Sequence, residues 1–304
     1  EVCTEEDLPK AAARSAEQVH EALAQLQAAE RRIRVLVAED NTTNQLVAKL
    51  TLEKFGFQAD FVANGLEAVE AVKAVAYDFV FMDMHMPEMD GLQATKIIRG
   101  LTGQHAKVPI IALTANLFGE DIAAYRQAGM NACVGKPFKQ EELVLAMAAV
   151  QHGEDAFDVV QQVPTYVPVA APAIVSATSG TADMQPTSDG RRYLDLEVLE
   201  EFGESNGEDM VRMLVDDFVD TTVKALNDLK QMVGDAGRRD DMKRLVHSLK
   251  SAGGFAGAPA LSDLARSLER AIAEGHVATA EECRELEVCL AQYQEALNRS
   301  RFAA

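Results

Sequence analysis

The residues best suited to chemistry in this chain stand at the carboxyl ends of short apolar runs. IRVLVA at 33–38 leads into Glu39-Asp40, and YDFVFM at 77–82 leads into Asp83. VPIIALT at 108–114 finishes on Thr114, and NACVG at 131–135 is followed by Lys136-Pro137. If these runs are strands of a parallel sheet, their ends share one mouth. Glu39, Asp40 and Asp83 would then crowd like charges together, which is costly unless a cation binds or a proton is taken up. Oxygen ligands of this kind, with room left for water, suit Mg2+. Asp83 as a carboxylate nucleophile, with the Thr114 hydroxyl and the Lys136 ammonium beside it, suits phosphoryl transfer. Asp83 attacks in line while the metal and Lys136 stabilise charge on the equatorial oxygens.

A second candidate stands near the other end. The segment from Asp240 reads DDMKRLVHSLKSAGGFAGA. At helical spacing Met242, Leu245, Val246, Leu249 and Gly253 share one face, which is the core side. Asp240, Lys243, Arg244, His247, Lys250, Ser251 and Gly254 share another. The spacing therefore predicts an outward His247 with Lys250 one turn away. A neutral imidazole accepts a phosphoryl group well, and an adjacent ammonium stabilises the charge that arrives with it. On a solvent face, replacing His247 is expected to change stability by less than about 0.5 kcal/mol. Glycines inside a helix cost about 1 kcal/mol each relative to Ala. Gly253, Gly254 and Gly257 are therefore expected where another backbone is admitted or where packing is tight.

The elements that must position these residues follow from periodicity. The apolar runs, with FQADFV at 57–62 among them, alternate with amphipathic helical patterns such as Leu46, Val47, Leu50 and Phe55. That alternation predicts an α/β doubly wound fold, flavodoxin-like, with a five-stranded parallel sheet over residues 33–151. Residues 152–190 lose periodicity and gather Pro, Ser, Thr, Ala and Gly, the composition of a flexible linker. From 191 to 304 the pattern is helical only. A short LDLEVLEEF segment precedes longer helices near 208–233, 236–256, 259–274 and 278–299, which predicts a separate all-α four-helix bundle. Residues 1–32 carry a thin stripe of Val19, Leu23 and Leu26, extended by Ala29, and read as a connecting helix.

Composition narrows the function. The 304 residues hold 29 Lys+Arg against 48 Asp+Glu, a formal charge of −19, which disfavours binding to nucleic acid or an anionic membrane surface. The longest apolar stretch, near 167–175, is too short to cross a bilayer and contains prolines. Cys3, Cys133, Cys283 and Cys289 have no metal-binding spacing and read as buried free thiols in a reducing cytoplasm. The chain begins with Glu rather than Met and reads as a piece of a longer protein.

The ordered set Glu39-Asp40, Asp83, Thr114, Lys136-Pro137, with DMHMPEMDG at 83–91, resembles the receiver domain of two-component response regulators over about 33–150. The resemblance implies that Asp83 is phosphorylated and that Glu39, Asp40 and Asp83 bind Mg2+ together with the His85 backbone carbonyl. It implies that Thr114 and Lys136 hold the phosphoryl group and that the Lys136–Pro137 bond is cis. The opening EDNTTNQ at 39–45 looks most like receivers fused to hybrid sensor kinases. One position departs from the family: three residues before Lys136, where receivers carry Tyr or Phe, stands Cys133. Polar His85 and Asn116, each two residues beyond a site residue, are expected to orient water and shorten the life of the phosphoaspartate.

HSLKSAGGFAGA in a helical bundle resembles histidine phosphotransfer (HPt) domains over about 190–300, with His247 and Lys250 in the family's H-x-x-K core. Phe255 and Ala256 stand where Asn and Leu are common. His20-Glu21 lacks the Arg and Pro of a kinase phosphoacceptor motif, and no ATP-binding kinase core is legible. The expected function is a phosphorelay. Asp83 accepts from a kinase histidine, from a core in the same full-length polypeptide, and passes the group to His247. From there it goes to a downstream response regulator receiver, or the flow runs in reverse as a drain. A partner-docking scaffold and a free-standing phosphotransfer shuttle are the alternatives.

Overall fold

Near-continuous apolar runs between amphipathic helices become strands buried on both faces, and in the first half of the chain four of five strands are so buried while that at Gln58–Val62 is half-exposed. The structure is a computed structural model that describes residues 19–26, 32–115, 119–153, 157 and 192–302. Contacts divide the chain into two units, Glu1–Val163 and Pro164–Ala304. The expected 152–190 linker lies almost wholly outside the described residues, as do Cys3 and Asn116.

In the first unit, β1 (Arg34–Ala38), β2 (Gln58–Val62), β3 (Phe79–Asp83), β4 (Ile110–Thr114) and β5 (Ala132–Gly135) form a parallel sheet in the order β2-β1-β3-β4-β5. The helices are α1 (Thr42–Lys54), α2 (Gly65–Ala74), α3 (Gly91–Arg99), α4 (Gly119–Ala128) and α5 (Gln140–Gln151). This is the flavodoxin-like order, in which the strand order reverses between β1 and β3 and opens a crevice there. Leu36, Val80, Met82, Ile110 and Ala112 form one buried face with Ala68, Val69 and Val72 of α2, Ala94 and Ile98 of α3, and Tyr125 of α4. The alternate residues Val35, Val37, Phe79, Phe81, Ile111 and Leu113 point the other way and are equally buried. The helical stretch at 19–26 buries Val19, Ala22 and Leu26, and its Gln25 side chain meets the His152 ring at 2.8 Å.

Glycine decides one close approach beside the mouth. A Cβ on Gly91 would lie 2.3 Å from the Asp83 carbonyl oxygen, so only glycine lets α3 begin against the end of β3. Asp90 caps that helix by accepting the Gln93 N–H.

Every regular element among the described residues of the second unit is a helix. A short α6 (Leu196–Asn206) precedes α7 (Glu208–Met232), α8 (Arg239–Phe255), α9 (Pro259–Ala273) and α10 (Ala280–Asn298). Pro259 opens α9 at a position whose missing N–H costs nothing. The core joins Val215, Phe218, Met242, Val246, Leu268, Leu286 and Tyr293. Between α8 and α9 the chain turns at Gly257, with φ of +64° and a Cβ position only 2.5 Å from the Asp195 carbonyl oxygen. That turn folds α9 back along α8, over much of the face that periodicity assigns to solvent. His247 and Lys250 are therefore buried, at 3% and 7% exposure, and the expectation of an outward histidine is corrected. Its cause is a partner helix that spacing within α8 cannot reveal.

Candidate functional site

Register brings the sequence-selected residues of the first unit to one place. Ala38 of β1 pairs with Met82 of β3, so Glu39 emerges beside Asp83. Asp83 pairs with Leu113 and Thr114 with Gly135, and the Lys136 N–H donates to the Thr114 carbonyl at 2.7 Å. Carboxylate oxygens of Glu39, Asp40 and Asp83 lie within 4.8 Å of one another. Lys136 reaches in from β5, its Nζ 2.5 Å from Glu39 Oε2 and 3.0 Å from Asp83 Oδ2. The Lys136–Pro137 peptide is cis. The His85 N–H, one residue past Met84, donates to Asp83 Oδ1 at 3.3 Å.

The electrostatics are those of crowded buried carboxylates. Burial, then the charge of Asp83, pushes Glu39 up to about 8 against the pull of Lys136. Burial alone would lower the Lys136 pKa, but Asp83 and Glu39 outweigh it and hold the ammonium charged above its usual range. A hard divalent cation fits this donor set, because it relieves the mutual repulsion of the three carboxylates.

Two supports of this pocket were not legible as site residues. Asn41 caps α1 by accepting the Asn44 N–H at 3.0 Å, and the Asn44 side chain donates to Glu39 Oε1 at 2.8 Å. The Gln45 amide donates to the Glu39 carbonyl at 2.6 Å. The polar run at 41–45 thus turns α1 into a holder for Glu39. On the far side, the Tyr125 hydroxyl lies 2.9 Å from Thr114 Oγ1, while Cys133 is a buried thiol in the same apolar cluster.

In the second unit the third member of the constellation comes from α9. Glu269 Oε1 lies 2.6 Å from His247 Nδ1, and Glu269 Oε2 accepts from Lys250 Nζ at 2.6 Å. Lys250 Nζ is itself 3.5 Å from His247 Nδ1. Burial pushes Glu269 up, but its hydrogen bond and charge interaction with His247, and those with Lys250, outweigh burial and bring it to about 2. A carboxylate on Nδ1 fixes that nitrogen as the protonated one, which puts the lone pair on Nε2. Ser262, also on α9, donates to the Lys250 carbonyl at 2.8 Å and helps to seat the two helices. Glu269 is 22 residues from His247 in sequence and belongs to an ordinary amphipathic pattern, so nothing local marks it.

A parallel sheet with an acidic mouth, followed by a helical unit with a carboxylate-held histidine, is chemically suited to accepting phosphoryl groups on Asp and His. Residues 35–148 match the response regulator receiver domain family and residues 213–300 the Hpt domain family. The chain therefore carries a receiver domain followed by an Hpt domain, the arrangement of two-component phosphorelay signalling. In an alignment of 134 residues that covers 34% of this chain and 14% of the relative, it is 41% identical to a probable histidine kinase of Oryza sativa subsp. indica. Over 127 residues, 40% of this chain, it is 39% identical to hybrid signal transduction histidine kinase K of Dictyostelium discoideum, and it spans 10% of that protein. A solved receiver domain of a Pseudomonas aeruginosa sensor histidine kinase is 38% identical. That comparison covers 41% of this chain and all of the other, with a TM-score of 0.37, and the solved domain holds a magnesium ion in its active-site cleft.

Proposed function

We propose that this chain relays phosphoryl groups from a kinase histidine through Asp83 to His247, and from there to a downstream response regulator receiver. The observation that carries the reading is a complete donor and acceptor set in each unit. Asp83 stands among Glu39, Asp40 and Lys136, and His247 stands against Glu269 and Lys250.

In the first step an Asp83 carboxylate oxygen attacks phosphorus, the P–N bond of the donor phosphohistidine breaks, and the freed imidazole keeps the electron pair. Lys136 offsets charge on the phosphoryl oxygens, and the Thr114 hydroxyl donates to one of them. Glu39, Asp40 and Asp83, with the His85 carbonyl, would hold Mg2+, which supplies the remaining neutralisation of those oxygens. In the second step His247 Nε2 attacks the phosphoryl group, the P–O bond to Asp83 breaks, and the carboxylate is restored. The imidazole becomes cationic, and Glu269 stabilises that charge through Nδ1–H. Lys250 offsets the charge of the arriving phosphoryl group. The kinase core of the same full-length polypeptide is the donor in this reading, and the relay works in the cytoplasm. Among the described residues no helix is long and apolar enough to cross a membrane.

The test uses the full chain with radiolabelled acetyl phosphate and Mg2+. Label on Asp83 is an acyl phosphate, labile to hydroxylamine. Asp83→Asn and removal of the metal by chelation should each abolish it. Undiminished labelling of Asp83→Asn would sink the assignment.

A further inference from the structure

Thr114 must give its hydroxyl proton to a phosphoryl oxygen if it is to hold the group on Asp83, and that hydroxyl already has a neighbour. The Tyr125 hydroxyl lies 2.9 Å from Thr114 Oγ1, and both residues are buried, at 4% and 1% exposure. A hydroxyl has one proton to donate and lone pairs to accept with, so two adjacent hydroxyls can bond in either direction. Only one direction is compatible with a phosphoryl group on Asp83: Tyr125 donates to Thr114, and Thr114 donates onward.

The surroundings favour that direction. Burial, more than any other influence, pushes the Tyr125 phenol up, so it stays protonated and able to donate. The ring is fixed by its packing, in one cluster with Ala112, Met130 and Cys133. Its backbone carbonyl accepts the Met130 N–H at 3.1 Å, which closes the end of α4. The next turn is tied to α3, because Arg99 Nε donates to the Gly129 carbonyl at 2.8 Å. On β5, Cys133 pairs with Ala112, two residues before Thr114 on β4, and leaves the space beside Thr114 to a ring from the helix. The aromatic hydroxyl at this site is thus supplied by α4.

We propose that Tyr125 is a positioning residue for the receiver reaction: its hydroxyl donates to Thr114 Oγ1 and so directs the Thr114 proton at the phosphoryl group on Asp83. The inference rests on the relay reading above. Two hydrogen bonds in series polarise one another, so losing the first weakens the second. Tyr125→Phe removes the hydroxyl and keeps the ring that packs.

The experiment follows label from acetyl phosphate onto Asp83 in the full chain, with Mg2+ and with His247→Gln present so that label stays on the receiver. Tyr125→Phe should slow labelling roughly three- to tenfold, the size of one neutral hydrogen bond. It should cause no further slowing in a Thr114→Ala background, and Mg2+ affinity measured without acetyl phosphate should be unchanged. A labelling rate equal to or faster than that of the parent would overturn the proposal. So would an equal slowing in the Thr114→Ala background, or a parallel loss of Mg2+ affinity, since a merely structural role produces both. If the parent chain itself takes no label on Asp83, the relay reading fails and this inference fails with it. If the parent labels and Tyr125→Phe labels at the parent's rate, only this inference fails.

Discussion

Glu269→Gln isolates the part of the Hpt unit that sequence spacing did not reveal. The amide keeps the shape of the carboxylate but loses the charge that faces both His247 and Lys250. The carboxyl group falls from its ordinary 4.5 to about 2, so its interactions outweigh burial by roughly 3 kcal/mol. Solvent reaches 14% of the side chain, and a neutral imidazole supplies its hydrogen bond without its charge, which leaves about 1–2 kcal/mol as the expected stability loss at pH 7. Because the folded value lies below the unfolded one, this stabilisation is fully present above pH 4.5 and is lost as pH falls through about 2. Urea unfolding of the full chain, followed by far-ultraviolet circular dichroism, gives the comparison. The first unit is common to both proteins, so the difference between parent and variant belongs to Glu269. It should be present above pH 4.5 and shrink toward pH 2. The same variant should slow phosphoryl transfer onto His247 by about 10- to 100-fold, since the cation formed on the imidazole loses its counter-charge. Equal urea midpoints at pH 7, or a difference that persists undiminished at pH 2, would refute the reasoning.

Three further outcomes follow from particular side chains. Glu142 is buried, and burial pushes it up to about 7, so the folded state keeps a proton that the unfolded state releases. Stability should therefore decline by up to roughly 3 kcal/mol between pH 4.5 and 7, and Glu142→Gln should flatten that decline in pH-dependent melts. Arg99 donates to the carbonyls of Gly129, Ala106 and Val108 and to the Asn131 side chain, so Arg99→Ala should cost about 2–4 kcal/mol in urea unfolding, and Arg99→Lys should recover less than half. His85→Met should lengthen the life of the phosphoaspartate several-fold, about 1 kcal/mol in barrier, measured as loss of label from a His247→Gln chain.

Much of the first unit was legible because its strands are apolar runs bounded by polar residues, and the ends of β1, β3, β4 and β5 carried the chemistry in sequence order. The expected strand starts run one or two residues early, as at Ile110, where the run begins at Val108. Backbone pairing rather than hydropathy decides where a strand starts. Asp90-Gly91 was recognisable as part of a motif, but the reason for glycine, the close approach to Asp83, needed the fold. The supports were harder. Asn44 and Tyr125 lie in helices whose patterns look ordinary, and their roles depend on Glu39 and Thr114, at the ends of β1 and β4. The largest error concerned His247. A helix face reads as solvent when its residues are polar, yet polar residues that satisfy one another can be buried, and Glu269 supplies that satisfaction from α9. Replacing His247 should therefore cost more than the 0.5 kcal/mol or so of a solvated surface position.

The order of the two acceptors is the central claim, and a pulse of label tests it most directly. The full chain is labelled briefly with acetyl phosphate and Mg2+, the donor is removed, and samples are split between acid and alkaline hydroxylamine treatment over time. Acyl phosphate on Asp83 should fall while acid-labile, base-stable phosphohistidine on His247 rises. His247→Gln should retain only the acyl phosphate, and Asp83→Asn should show neither species. Phosphohistidine formed in Asp83→Asn, or acyl phosphate that decays with no histidine label in the parent chain, would contradict the account.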